Sequence, residues 1–332
     1  MKAIVCAKFG PPDVLRLQEV AKPTPGDNEV LIRIHATTVT AGDCELRSLK
    51  FPIVFRLIIR IYVGLIRRGP MILGQEFAGE IEAVGKEVTR FRKGDSVIGW
   101  TGFSLGAYAE YKCLPENGVL AIKPPTMSYE QATALPVGGL EAVYFLRRAS
   151  IQSGQKVLIY GAGGSIGTFA IQIARYFGAD VTGVDSTGKL DMLRSIGADH
   201  VIDYTKEDVT RSGETYDVIF DVIGKSPFSR SIQSLTPNGC YLLANPRMFQ
   251  RVRARWMSRR SGKKVIPWAA RSASEYTGDF KFLTELIKAE KLQTVIDSCY
   301  PLAQAAEAHR YAETGHKKGH VVITVVQNNI SP

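Results

Sequence analysis

The sequence predicts an α/β chain of two domains, in which an open parallel sheet covered by helices is inserted into a β-rich domain. Length is the first reason. At 332 residues the chain suits two domains of roughly 100–200 residues, each able to bury its own core. Composition is the second: 45% hydrophobic and 22% charged residues describe an ordinary globular protein, not a disordered or collagen-like one. The third is a change of grammar. Up to about residue 125 the pattern is strands and turns, from about 155 it is strand–helix–strand, and after about 272 the first style returns. The expected boundaries are 1–125 with 272–332 for the β-rich domain and 126–271 for the insert.

The elements follow in order. The opening MKAIVCAKFG alternates like a first strand and leaves no room for a signal peptide. Val30 to His35 alternates, Gly79 to Val84 follows a glycine, and Asp95 to Trp100 follows the Lys93-Gly94 turn. Pro115, Pro124 and Pro125 punctuate the end of this region. Next come short apolar runs at Lys156–Tyr160, Asp180–Val184, His200–Ile202, Tyr216–Phe220 and Cys240–Leu243, alternating with helical patterns at Ile166–Phe177, Lys189–Ile196 and Ser226–Leu235. Helices alternating with β-rich runs imply a parallel sheet buried on both faces. Two further helical patterns and a strand at His320–Val326 complete the chain.

Some classes are excluded early. Ile53 to Ile66 is too short for a spanning helix and is interrupted by Arg56 and Arg60, so the expected location is cytoplasmic. Five cysteines (6, 44, 113, 240 and 299), an odd number without a close pair, argue against a disulfide framework and zinc fingers. The net charge of +10 is local. Six basic residues and no acid lie between Glu45 and Glu76, and eleven between Asp221 and Glu275, leaving 25 basic against 32 acidic elsewhere.

The most informative local feature is Gly161-Ala-Gly-Gly-Ser-Ile-Gly167, directly after a strand and opening a helix. Gly161 lets the chain turn off the strand, and Gly163 and Gly164 let a pyrophosphate approach the backbone. Ser165 and Ile166 begin a helix whose N–H groups face that anion, and Gly167 allows the helix to pack close to the sheet. Strand, turn, helix and next strand fall within about 30 residues, which makes dinucleotide binding the expected function of the insert. At the end of the second strand two signals compete. Asp185 suits a ribose 2′-hydroxyl and NAD, whereas Ser186, Lys189 and Tyr204 suit a 2′-phosphate and NADP. Lys189 could instead be a solvated helix-start lysine and Tyr204 a strand-end aromatic packed on the sheet edge. Chemistry alone leaves the choice open.

Further stretches carry a resemblance to a known family. These are GQEFAGEIEAVG (74–85), FRKGDSVIG (91–99), GAYAEY (106–111), GQKVLI (154–159) with the glycine turn, GADHVIDY (197–204) and KGHVVI (318–323). Over nearly its whole length the chain resembles the medium-chain dehydrogenase/reductase superfamily, in its zinc-free quinone oxidoreductase and alkenal reductase branch. The resemblance implies a GroES-like β-rich catalytic domain around a Rossmann cofactor-binding domain, with the active site in the cleft between them. Zinc-dependent relatives place Cys, His and Cys where Thr40, Gln75 and Val137 stand here. Only Glu76 of the motif remains, Cys44 lies four residues past the ligand position, and the four-cysteine structural-zinc lobe is missing. No metal is therefore expected, and alcohol dehydrogenation, which needs a Lewis acid, is disfavoured. Ser186, Lys189 and Tyr204 reproduce the family spacing around a 2′-phosphate, which favours NADPH. Asp185 departs from it and keeps NADH use open.

Without a metal the expected reaction is direct hydride transfer to a quinone or an α,β-unsaturated carbonyl, with the protein supplying position and hydrogen bonds. By family position, Thr40 and Asp43 lie near the nicotinamide, although many relatives carry Asn where Thr40 stands. Tyr62 and Tyr108 are candidate donors to substrate oxygen, each with a packed aromatic as the alternative. Lys317 is a candidate cofactor contact or a solvated loop residue, and His316 and His320 are expected at the surface. The basic stretches, residues 47–68 and 225–271, are expected to flank the cleft as a lid or homodimer contact. Their arginines and aromatics also suit an anionic membrane surface that holds a lipophilic acceptor, with the protein peripheral to it. Nucleic acid is disfavoured because no stacking platform or motif supports it. Two other readings stay open: an enoyl-thioester reductase, and a cofactor-binding membrane-interaction or redox-sensing protein.

Overall fold

The computed structural model describes residues 1–51, 56, 57, 59, 61, 71–224, 226–245 and 262–326. The chain divides into two compact units, Met1–Pro136 with Ile296–Pro332, and Val137–Val295. The first begins with an antiparallel pair, β1 (Lys2–Cys6) and β2 (Leu15–Glu19). There follow β3 (Glu29–Thr38), α1 (Ala41–Ser48), β4 (Glu76–Val84), β5 (Ser96–Trp100), β6 (Tyr111–Pro115), β7 (Val119–Ile122) and the single-turn α2 (Tyr129–Ala132). In β3 the expected alternation is only partial: Val30, Ile32 and Ile34 are buried and Arg33 is exposed, but Leu31 is buried as well.

The second unit contains α3 (Leu140–Ala149), β8 (Lys156–Tyr160), α4 (Ser165–Tyr176), β9 (Asp180–Asp185), α5 (Leu190–Ser195) and β10 (His200–Asp203). It continues with β11 (Tyr216–Asp221), α6 (Phe228–Gln233), β12 (Leu235–Leu243), β13 (Lys264–Pro267) and α7 (Ala273–Lys288). The strands form one parallel sheet in the order β10-β9-β8-β11-β12-β13. This is the doubly wound order, whose ligand crevice lies outside the carboxyl ends of the strands where the winding reverses. The edge strand β13 was not expected, because it lies within the second basic stretch.

The chain then returns to the first unit with β14 (Ile296–Pro301), α8 (Ala305–Glu313) and β15 (His320–Thr324). Strands β14, β15, β3, β4, β5 and β7 pair in that order and β6 pairs with β3, making a seven-stranded sheet. The second unit thus begins and ends later than the expected 126–271. Interactions of α7 with α3 give the reason. Arg147 pairs with Asp279 at 2.8 Å, and buried Arg271 bonds Glu141 and stacks between Tyr144 and Tyr276. A helix tied this way belongs to the core of the parallel sheet.

In the first unit α1 is fastened by a buried polar chain. The fully buried Arg47 side chain donates to Gly10 O, pairs with Glu313 at 2.6 Å, and donates from Nε to His309 Nδ1 at 3.3 Å. With Nδ1 as acceptor, the neutral ring carries its proton on Nε2, which faces Tyr108 Oη at 3.0 Å. Tyr108 in turn donates to Thr38 O at 3.2 Å. Burial, reinforced by Arg47, lowers the His309 pKa to about 3.

Several described basic residues of the two stretches also have partners within the chain, although Lys50, Arg56 and Lys264 are exposed. Arg230 pairs with Asp208 at 2.9 Å, Lys263 donates to Ile232 O and Leu235 O, and Arg56 donates to Phe51 O. Arg60, Arg67, Arg68 and the arginines from 247 to 260 lie outside the described residues. His316 is exposed as expected, but His320 is buried within β15, because the strand carries it into the interior of the sheet.

A depressed histidine pKa stabilises the fold above the unfolded value of about 6.5, and that stability is lost as pH falls toward 3. Between pH 6.5 and 4.5 His309 alone should remove roughly 2 kcal/mol. Urea unfolding of His309→Asn should therefore show a shallower acid loss than the parent over this interval. Parallel pH slopes would contradict the buried neutral ring.

Candidate active site

The glycine turn follows β8. Gly161 adopts φ +75°, which favours glycine, and its N–H donates to Val184 O at 3.0 Å, tying the turn to β9. A Cβ on Gly167 would lie 2.6 Å from Ala162 Cα, so only glycine lets α4 approach the strand this closely. At Gly164 a Cβ would meet nothing nearer than Gly161 O at 3.5 Å. Gly164 is also the N-cap of α4 and supplies no capping side chain. An open backbone at the N-terminus of a three-turn helix fits the pyrophosphate of a dinucleotide. Gly163 differs from expectation. Its missing side chain makes room not for a ligand but for Lys189 Cδ and Asp185 Oδ2, which a Cβ would meet at 2.5 and 2.9 Å.

The residues expected at the adenosine ribose gather at the carboxyl ends of β9 and β10. Asp185 is buried; its Oδ2 accepts from Gly163 N–H at 2.8 Å, and its Oδ1 accepts from Ser186 N–H at 2.9 Å. Lys189 is not solvated: it is buried and pairs with Asp185 Oδ1 at 3.1 Å. Tyr204 is 58% exposed, so it presents its ring to solvent and does not pack on the sheet edge. Beside it lies a residue the sequence reading did not single out. Asp203 accepts from Thr187 Oγ1 and from Thr205, which holds its carboxyl down at about pKa 2. This carboxylate ties the segment carrying Ser186 and Lys189 to the end of β10. Its only sequence signal was membership of the GADHVIDY stretch.

In the first unit the structure brings Thr40 and Asp43 together with Gln75. Thr40 is the N-cap of α1 and forms a reciprocal capping box with Asp43. Its Oγ1 lies 2.7 Å from Asp43 Oδ2 and 3.2 Å from Gln75 Oε1. Asp43 is fully buried; burial raises its pKa to about 6, against the pull of bonds from Thr40 and Gly74 N–H. Glu76, also buried, accepts from Thr38 Oγ1. The hydroxyl at residue 40 donates toward the carboxamide oxygen at 75, and neither residue is a zinc donor of the usual kind. Among the described residues no group of three or more His, Cys, Asp and Glu is placed to hold a metal ion.

The remaining candidates fare differently. Tyr108 is fully buried and its hydroxyl is engaged by Thr38 and His309; it is a structural residue, not a donor to substrate. Lys317 donates to Gly319 O at 2.6 Å, in the unit of Thr40. Tyr62 lies outside the described residues.

Comparison with known proteins bears on both units. Residues 26–124 match the alcohol dehydrogenase GroES-like domain and residues 196–323 the zinc-binding dehydrogenase model. The chain is 31% identical over 326 residues to a chloroplastic quinone-oxidoreductase homolog of Spinacia oleracea, covering 95% of each protein. The chain belongs to the medium-chain dehydrogenase/reductase superfamily, in its quinone oxidoreductase and alkenal reductase branch. A chloroplastic NADPH-dependent alkenal/one oxidoreductase of Arabidopsis thaliana is 29% identical, with 97% of this chain and 79% of that protein covered. The quinone oxidoreductase structure from Coxiella burnetii superposes with TM-score 0.86 at 29% identity, covering 98% of this chain and 99% of that one. The GroES-like and Rossmann architecture expected of the family is the one observed.

The two ends of the glycine turn should respond oppositely to a methyl group. Gly164→Ala is expected to keep stability within about 0.5 kcal/mol while weakening dinucleotide binding tenfold or more. Gly167→Ala should lose about 1–3 kcal/mol, because the clashing atoms are backbone. Urea unfolding with fluorescence titration of NADPH distinguishes them, and equal behaviour would contradict the assignment.

Proposed function

We propose that this protein is an NADPH-dependent reductase that passes hydride directly, without a metal, to a quinone or an α,β-unsaturated carbonyl. The observation that carries the reading is that Thr40 and Gln75, at two of the three positions where metal-dependent relatives place zinc ligands, are bonded to each other, with Thr40 also bonded to Asp43. The names of the spinach and Arabidopsis relatives support the acceptor class, and the latter supports NADPH.

NADPH supplies the hydride. The protein's residues supply its seat: the open backbone at Gly164 and the start of α4 for the pyrophosphate, and Ser186, Lys189 and Tyr204 for the 2′-phosphate. An enone or quinone needs no prior activation, since its conjugated carbon accepts hydride while charge develops on the carbonyl oxygen. Gln75 Nε2 offers a donor to that oxygen, while the Thr40 hydroxyl, directed to Asp43 Oδ2 and Gln75 Oε1, orients the carboxamide. A proton from solvent at the α-carbon completes a reduced enone. A quinone adduct takes one proton from solvent on its charged oxygen and passes its new ring C–H proton through solvent to the other oxygen, so that one hydride and one proton in all make the hydroquinone. Asp43, being fully buried, acts as a positioning residue and not as the proton source.

We further propose a homodimer, supported by the one-sided pairing of the edge strand β13 among the described strands, and a cytoplasmic location. No helix among the described residues is long and apolar enough to cross a membrane. The pairing of Arg47, Lys263 and Arg271 with groups of the chain supports packing at the ends of the two stretches over membrane contact.

Nicotinamide oxidation with a panel of quinones and enones tests the reading. NADPH is expected to outperform NADH, and a strong chelator should leave the rate unchanged. Gln75→Leu should lower kcat/KM about 10–100-fold with NADPH affinity retained. Stoichiometric zinc, or no reducible acceptor, would overturn the proposal.

A further inference from the structure

An acidic residue at the end of the second strand of a dinucleotide-binding sheet ordinarily holds the ribose diol and rejects a 2′-phosphate. Asp185 occupies that place, yet its carboxylate faces the other way. One oxygen takes the Gly163 N–H at 2.8 Å; the other takes the Ser186 N–H at 2.9 Å and the Lys189 ammonium at 3.1 Å. The Asp185 and Lys189 side chains are 7% and 9% exposed. Both lie against the face of Gly163 where a Cβ would otherwise stand. The strand end is fixed from outside as well, since Tyr204 N–H donates to Asp185 O at 3.2 Å and Thr187 is bonded to Asp203.

We propose that Asp185 is a positioning and specificity-setting residue that clamps the glycine turn and holds Lys189 in a neutral pair, and that it does not read the ribose. The inference rests on the functional reading above. Its physical content is electrostatic. Ionised Asp185 and charged Lys189 cancel at short range, so the site neither repels a 2′-phosphate with a bare carboxylate nor attracts it with the full lysine charge. A 2′-phosphate gains part of the ammonium, which keeps its carboxylate partner. A 2′-hydroxyl finds no unengaged carboxylate. Such a site favours NADPH modestly and still accepts NADH. Replacing the carboxylate by an amide keeps an acceptor oxygen for Gly163 N–H and releases the charge of Lys189 toward the ligand.

Dissociation constants measured by titration on the full-length protein test this without turnover. For the unaltered chain, NADH and 2′-deoxy-NADH should bind within threefold of each other, because no carboxylate holds the 2′-hydroxyl. In Asp185→Asn, adenosine 2′,5′-bisphosphate and NADPH should bind at least fivefold more tightly, with NADH changed less than threefold. Asp185→Asn/Lys189→Gln, which buries no unpaired charge, guards against misfolding. It should retain NADH affinity within threefold and lose the preference for NADPH. A tenfold or greater preference of the unaltered chain for NADH over 2′-deoxy-NADH would overturn the inference. So would Asp185→Asn failing to tighten the 2′-phosphate ligands, or the double variant losing NADH selectively. If the unaltered chain reduces acceptors with NADPH, any of these results defeats the inference alone. If it binds neither dinucleotide, the functional reading falls and the inference with it.

Discussion

The close approach of α4 to the carboxyl end of β8 is the constraint on which the rest of the second unit depends. Gly167 has no space for a Cβ against Ala162, so the helix starts directly above the strand, with Gly164 as an N-cap that brings no side chain. A helix N-terminus left this way is an anion site by default. The position of the turn also decides what surrounds it. Gly161 is bonded to β9 through Val184, and Gly163 to the end of β9 through Asp185. The residues at the carboxyl end of β9 are therefore held by the same backbone bonds that shape the turn.

The first unit solves a different problem. It must bury charged groups around α1 at little cost. Thr40 and Asp43 lock one another at the start of α1, and Arg47 near its end is pinned by His309, Glu313 and Gly10. Burying Asp43 and Arg47 is expensive unless every polar atom nearby is matched, and the chain Arg47–His309–Tyr108–Thr38 supplies that matching on one side. Tyr108 thus holds the strand end from which Thr40 departs.

Much of this was legible in the sequence where local backbone chemistry dictates it. The glycine turn announced itself because its conformations and close contacts exclude other residues. Strands β8 to β12 were legible as short apolar runs. Strand β13 was hidden, since Lys264–Pro267 is brief, flanked by basic residues and ends in proline. The domain boundary shifted because the helical pattern of α7 says nothing about which core it joins, and its ties to α3 reach 130 residues along the chain. The burial of Tyr108 depends on His309, 201 residues away, and no local pattern carries that. Asp185 and Lys189 were visible four residues apart, but as rival signals. Only the structure shows that they are partners, and that their rivalry is resolved within the protein.

The central claim is that hydride passes from NADPH to the acceptor without a metal. It is tested most directly by isotope transfer from NADPH carrying two deuteriums at C4, with protein freed of metal by a chelator and an enone as acceptor. The account requires one deuterium at the β-carbon of the saturated product for each NADPH oxidised, with the α-position filled from solvent. Deuterium lost to water, or transfer restored only on adding zinc, would contradict it.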